Sequence, residues 1–181
     1  MLRKTFANKE QSSFKQDQQP NDEFKFQGMK EIYFRTATLE DLPVLYDFEQ
    51  GIIQTERPWD ETLKPTHINY YDLKAMIEST DSEVVVAVYK KEIIGSSYVC
   101  FKQAAPYLKH TYFAYLGFMF VKPEYRGKGV SQRIIEEIKK LARKKDINEL
   151  RLDVYNDNHS AIKAYEKAGL KRHLINMRIE I

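Results

Sequence analysis

The chain has a single cysteine, Cys100, and only four histidines scattered along its 181 residues. That excludes an internal disulfide and leaves no metal-ligand spacing, so no metal is assigned. Glycine is scarce as well, seven in all, which makes any local concentration of it informative. No apolar run approaches the roughly 20 residues that cross a bilayer, and the N-terminus lacks the continuous apolar centre of a secretory signal. The expectation is a chain with no membrane partner that stays in the cytoplasm. Charge of one sign is lacking too: 29 basic residues against 26 acidic give a net charge of +3, too little to argue for a nucleic-acid partner. The basic cluster Lys139, Lys140, Arg143, Lys144 and Lys145 alternates with Glu136 and Glu137 and reads as a solvated helix face.

What is present is an ordinary globular composition, 43% apolar and 30% charged, in a length that suits one domain with a sizeable core. Residues 1–28 stand apart. Gln11, Gln16, Gln18 and Gln19, with Ser12, Ser13, Pro20 and Asn21, bury too little apolar area to offset the entropy of ordering. The expected organisation is a polar extension over 1–28 and one domain over 29–181, with Met29 as an alternative start.

Within that domain, Ile32 to Thr36 alternates as a half-buried strand. Thr38 and Asp41 have the spacing of a capping box before Leu42, Leu45, Phe48 and Ile52 at helical intervals, and Pro43 suits a first turn that begins near Asp41. Gly51 to Thr66, with Glu56, Arg57, Pro58, the single tryptophan Trp59 and Asp60, reads as a loop or broken helix. It is either a substrate lip or a connection pinned by one buried aromatic. Asn69 to Ile77 reads as a short helix. Val84 to Tyr89 and Ile93 to Phe101 form a hairpin about Lys90-Lys91-Glu92. Lys102 to His110 is too irregular for a strand and leads to a long apolar strand, Tyr112 to Val121. A helix, a strand at Leu150 to Val154, another helix and a last strand complete an α+β order, with helices flanking a mixed, mostly antiparallel sheet.

The chemistry concentrates after Val121. The strand stops at Lys122-Pro123, passes through Arg126-Gly127-Lys128-Gly129 and becomes a helix with Val130, Ile134, Ile138 and Leu141 on one face. Two glycines allow positive φ and close approach of a ligand, and the free N–H groups and dipole of a helix start attract negative charge. The unit is shaped to hold a phosphate or pyrophosphate. It is neither a P-loop nor a dinucleotide fingerprint, because Gly129 is followed by Val130-Ser131-Gln132.

These residues resemble the acetyl-CoA signature of the GNAT superfamily of N-acetyltransferases, [Gln/Arg]-x-x-Gly-x-[Gly/Ala], with Arg126 and Gly129 in place and Ser131 as the departure. A second segment, Asn158-x-x-Ala161-x-x-x-Tyr165-x-x-x-Gly169-Leu170, is similar to the family's Asn-x-x-Ala-x-x-x-Tyr-x-x-x-Gly-Phe, with Leu170 for phenylalanine. The resemblance covers Ile32 to Ile181, strongly in the second half. It implies a GNAT-like fold, acetyl-CoA as cosubstrate and an amine-bearing acceptor, and it leaves a homodimer open. It assigns the coenzyme to the backbone of Met119, Phe120 and Val121, to Arg126, Gly127, Lys128, Gly129, Val130 and Ser131, and to Asn158.

The resemblance makes Tyr165 the acid for the departing thiolate. A phenol of pKa about 10 is close enough to an aliphatic thiol to share a proton with it. The plainer alternative is a packing tyrosine in line with Ala161, Ile162 and Ala168. Gly117, amid bulky neighbours, marks a bulge or close ligand approach, or relieves crowding from Phe118 and Tyr115. The base stays unassigned, because the strand Tyr112 to Val121 has no acidic residue. A water chain, Glu56 or Asp60 could serve. Cys100 reads as an inert small hydrophobe rather than a nucleophile. A module that binds acyl-CoA without turning it over is the alternative to an enzyme.

Overall fold

The computed structural model describes residues 31–181, so the extension assigned to 1–28 and the alternative start at Met29 lie outside the described residues. Five strands form one sheet in the order β1-β2-β3-β4-β5: β1 (Tyr33–Thr36), β2 (Ser82–Tyr89), β3 (Glu92–Gln103), β4 (Tyr112–Val121) and β5 (Leu150–Arg151). Neighbours are antiparallel except β4 and β5, which are parallel. The helices are α1 (Leu42–Glu56), α2 (Leu73–Glu78), α3 (Val130–Lys144) and α4 (His159–Lys167). The α+β expectation stands.

The apolar run in β2 fits a strand covered on both faces. Val84, Val86 and Val88 pack with Leu45, Phe48 and Leu73 on the side of α1 and α2, while Val85 and Ala87 pack with Val130, Ile134, Ile135 and Ile138 of α3. Lys90 and Lys91 both have positive φ, 47° and 70°, as a two-residue hairpin turn matched to strand twist requires. The capping box forms: the Thr38 amide donates to Asp41 at 2.8 Å. Arg35 donates to both oxygens of the same carboxylate, at 2.6 and 2.8 Å, and holds its pKa below the usual range.

Several expected boundaries move, among them β5, which stops at Arg151 instead of Val154 because the chain there turns away from β4. Helix α1 runs through Gly51 to Glu56. Gly51 serves close packing there, since a Cβ would lie 2.6 Å from the ring of Phe120. Helix α2 starts at Leu73, capped by Asp72, because the preceding residues are held by a buried carboxylate described below. Strand β3 takes in Lys102 and Gln103, paired with Phe113 and Tyr112. The last expected strand does not form. Beyond Leu170 the chain joins no sheet, and Leu174, Ile175, Met177 and Ile179 are exposed.

Strand β4 changes face partway along. Ala114 and Leu116 belong to the α3 side, yet Phe118, two residues on, belongs to the α1 side. The register against β3 slips between Ser96 and Tyr98, and Phe118 has φ of 54°. One extra residue in a bulge exchanges the faces of everything after it. Phe120 therefore meets Phe48 of α1, at 4.5 Å between ring centroids.

Candidate active site

The sheet comes apart where β4 meets β5. Their pairing is limited to Ala114 with Leu150 and Tyr115 with Arg151. Leu116 to Val121 on one side and Leu152 to Tyr155 on the other then diverge and line a cleft of about 850 Å³. The turn 126–131, the start of α3, the inner side of α4 and the end of α1 complete its walls.

At one end is the glycine turn. Gly127 and Gly129 have φ of 70° and 75°, and nothing lies within 4 Å of the place a Cβ would occupy on Gly127. Gly129 is the N-cap of α3 and supplies no side-chain cap, so the first amides of that helix face the cleft without a side-chain partner, the arrangement that receives an anion. Arg126 donates through Nε to the Val121 carbonyl at 2.9 Å and stacks near Phe120, 5.8 Å from its centroid. Part of its role is thus to fix the turn. Lys128, Val130 and Ser131 line the cleft beside it, and Met119, Phe120 and Val121 line it from β4.

The second motif turns out to frame a helix. Asn158 caps α4, its side-chain oxygen accepting from the Ala161 amide at 3.1 Å. It lines the cleft, but this oxygen is occupied by the cap. At the other end the Leu170 amide donates to the Tyr165 carbonyl and the Gly169 amide to that of Glu166, both at 3.0 Å, with Gly169 at φ of 92°. That is a Schellman closure, which needs a left-handed residue. Both ends therefore hold the helix that carries Tyr165. The Tyr165 ring packs against the core beside α3 and lines the cleft. Burial and the negative charge of Glu56 push its pKa up to about 12.

The opposite end of the cleft is acidic and rich in tyrosine. Tyr71 meets Tyr98 edge-on at 5.3 Å and Phe118 at 5.4 Å. A Cβ on Gly117 would run into the Tyr98 ring, so both glycine readings hold in part: the bulge is there, and the crowding comes from Tyr98 rather than from Phe118 or Tyr115. Tyr115 donates to Asp153 at 2.8 Å. Glu56 lines the cleft, and burial raises its pKa while Tyr70 pulls it down. The Tyr70 hydroxyl is buried near Glu56 without a hydrogen-bond partner among the described residues. Asp60 is committed elsewhere. It accepts from Thr62 at 2.6 Å, Arg178 at 2.9 Å and Tyr155 at 3.0 Å, and these bonds hold it well below the usual carboxylate range. Trp59 stacks on Tyr155 at 6.1 Å. Tyr107, in the linker expected to shape this end, is 87% exposed and does not line the cleft. Cys100 is also outside it, with burial raising its pKa.

The sequence reading missed Glu49, Tyr71, Tyr98 and Asp153. Glu49 is fully buried and accepts from Asn69 at 2.7 Å and from the amides of Tyr70 and Tyr71 at 2.7 and 2.8 Å. A lone acid in the apolar stripe of α1 was the available signal. Glu49→Ala orphans two backbone donors and opens a cavity, so a loss of about 2–5 kcal/mol is expected. Thermal unfolding checks it, and a melting temperature within a degree of the parent would contradict the account. Among the described residues no group of three or more His, Cys, Asp or Glu could hold a metal ion, and no helix is long and apolar enough to cross a membrane.

Residues 45–170 match the model of the Acetyltransferase (GNAT) family. The chain is 40% identical over 55 residues to thialysine N-epsilon-acetyltransferase from Bos taurus, 30% of this chain and 32% of that protein; it thus spans about a third of the length of such curated relatives. Among solved structures, the tetramutant BH1408 protein from Bacillus halodurans superposes with a TM-score of 0.75 at 20% identity, covering 82% of this chain and 99% of that one. A predicted acetyltransferase with acetyl-CoA from Clostridium acetobutylicum gives 0.64 at 16%, covering 82% and 96%. At these identities the likeness is one of fold.

Proposed function

The chain belongs to the acetyltransferase (GNAT) family, and from that premise we propose that it moves an acetyl group from acetyl-CoA directly to a primary amine. The observation that carries the reading is the single cleft that joins an amide-lined glycine turn to an acidic, tyrosine-rich end, with Tyr165 in its wall. The residues fit the coenzyme. The amides of Gly127 to Ser131 take its pyrophosphate, and Arg126 and Lys128 add positive charge. The open edge of β4, from Leu116 to Val121, offers backbone groups to the amide-bearing arm. Bulge amides near Met119 face the thioester oxygen, where donors stabilise developing charge. Tyr165 protonates the departing thiolate. The relatives from Bos taurus and Sus scrofa are thialysine N-epsilon-acetyltransferases, which supports an acceptor nitrogen at the end of an alkyl chain.

Thiol release from acetyl-CoA is the test, measured across alkylamines, amino acids, amino sugars and peptides. Turnover with at least one amine is expected. Tight coenzyme binding with no thiol released by any of them would instead establish a binding module.

A further inference from the structure

Resting on that reading, the charges of the cleft name its acceptor. Its cationic side chains are Arg126, Lys128, Lys163 and Lys167, all on the turn or α4, whereas its carboxylates are Glu56 and Asp153, at the far end. One cleft thus carries two opposed electrostatic ends, a basic one suited to a polyanion and an acidic one walled by tyrosine rings. We propose that the acidic end receives an aliphatic primary amine as its ammonium ion, and that Glu56, at the C-terminal end of α1, is the base that removes the first proton.

Glu56 is set apart from the other acid of this region by its surroundings. Asp60 is tied by three hydrogen bonds, which consume the lone pairs a base needs. Glu56 accepts no full hydrogen bond among the described residues and has the unpartnered Tyr70 hydroxyl beside it. The groups that face it are Tyr70, Asp60, Tyr71, Tyr155 and Tyr165. None of them is a cation, and the Arg178 guanidinium of this cluster is bound to Asp60 at 2.9 Å, so among the described residues no cation paired to Glu56 competes with an incoming ammonium. Burial and the Asp60 charge both raise the pKa of Glu56, which makes it a stronger proton acceptor than an exposed glutamate.

The protons then balance. Glu56 takes one proton from R–NH3+, giving the free amine. The nitrogen lone pair forms the C–N bond at the thioester carbonyl and the C–S bond breaks. Tyr165 gives its proton to the thiolate, and the second amine proton returns to Tyr165. Glu56 releases its proton to water. The order matters, because the negative charge of Glu56 is one cause of the raised Tyr165 pKa. Neutralising Glu56 makes Tyr165 a better acid when the thiolate needs one.

The test pairs two acceptors with Glu56→Gln. For n-propylamine, an ammonium ion at neutral pH, kcat/KM is expected to fall about 10²- to 10⁴-fold. For 2,2,2-trifluoroethylamine, already neutral there, the loss should be at least tenfold smaller. In the parent, kcat/KM for n-propylamine against pH should fall on the acid side through a limb above the ordinary glutamate range, since Glu56 must be ionised to act and this ratio reports the free enzyme. The limb should vanish in Glu56→Gln and persist in Glu56→Asp and Asp60→Asn. Folding is checked by melting. The glutamine variant should be no less stable than the parent, because a carboxylate whose pKa rises on folding loses stability as it ionises. Acetyl-CoA affinity by calorimetry should be unchanged. Equal losses on both amines, turnover of both within a few-fold of the parent, or a surviving acid limb would each overturn the assignment of Glu56 and leave the transferase reading intact. A parent that releases thiol with no amine would overturn both.

Discussion

Tyr165→Phe is expected to lower kcat by about 10²- to 10⁴-fold, the range for loss of a positioned general acid, with the melting temperature nearly unchanged. The ring is held by packing against the α3 side of the core and by the two caps of α4, none of which involves the hydroxyl. Among the described residues that hydroxyl makes no hydrogen bond to a protein group, so removing it leaves nothing unpaired. Its raised pKa, about 12, keeps it protonated throughout the neutral range, with a proton to give. Melting and steady-state kinetics of the same preparation decide the matter. A variant that is destabilised by 1–3 kcal/mol yet turns over within a few-fold of the parent would show a hydroxyl that serves the fold.

Gly129→Val is expected to abolish coenzyme binding. At φ of 75° a side chain is strained by about 1–2 kcal/mol, and a β-branched one also crowds the first amides of α3, the proposed seat of the pyrophosphate. The buried stripe of that helix, Val130, Ile134, Ile135 and Ile138, keeps it in place, so the fold should survive with a modestly lower melting temperature. Arg126→Ala should weaken binding far less, since its Nε is already engaged by the Val121 carbonyl. Calorimetric titration with coenzyme A separates the two, and an unchanged dissociation constant in the valine variant would remove the turn from the coenzyme site.

Those two positions were legible because local rules place them. A left-handed glycine before an amphipathic run, and an asparagine and a glycine bracketing one, mark helix ends whatever the rest of the chain does. The acidic end of the cleft was harder to see. Tyr71, Tyr98 and Glu56 come from three separate segments, and no periodicity says that β4 bulges at Phe118 or that α1 extends past Gly51. In each case a long-range contact decides: the Tyr98 ring over Gly117, the Phe120 ring against Gly51. Gly51 was read as the start of a loop or broken helix because glycine more often turns a chain than lets two elements touch; the helix does break, but only after Glu56. The exposed segment after Leu170 failed in the opposite way. Its apolar residues suit a strand, but an isolated strand has no ladder to join.

The short seam between β4 and β5 has a consequence for how the molecule lets go of what it holds. β1 to β4 are joined by long antiparallel registers, while β5 is fastened to them by two residue pairs. Opening energies differ across a fold according to such fastenings. Parting the two leaves breaks few backbone bonds, and the seam then rests on side-chain packing: Leu150 and Leu152 lie against the same core cluster as Ala114 and Leu116. In the proposed site this lightly paired wall lies beside the coenzyme arm, so release, rather than bond formation, is the step expected to respond most to how firmly Leu150 and Arg151 are anchored.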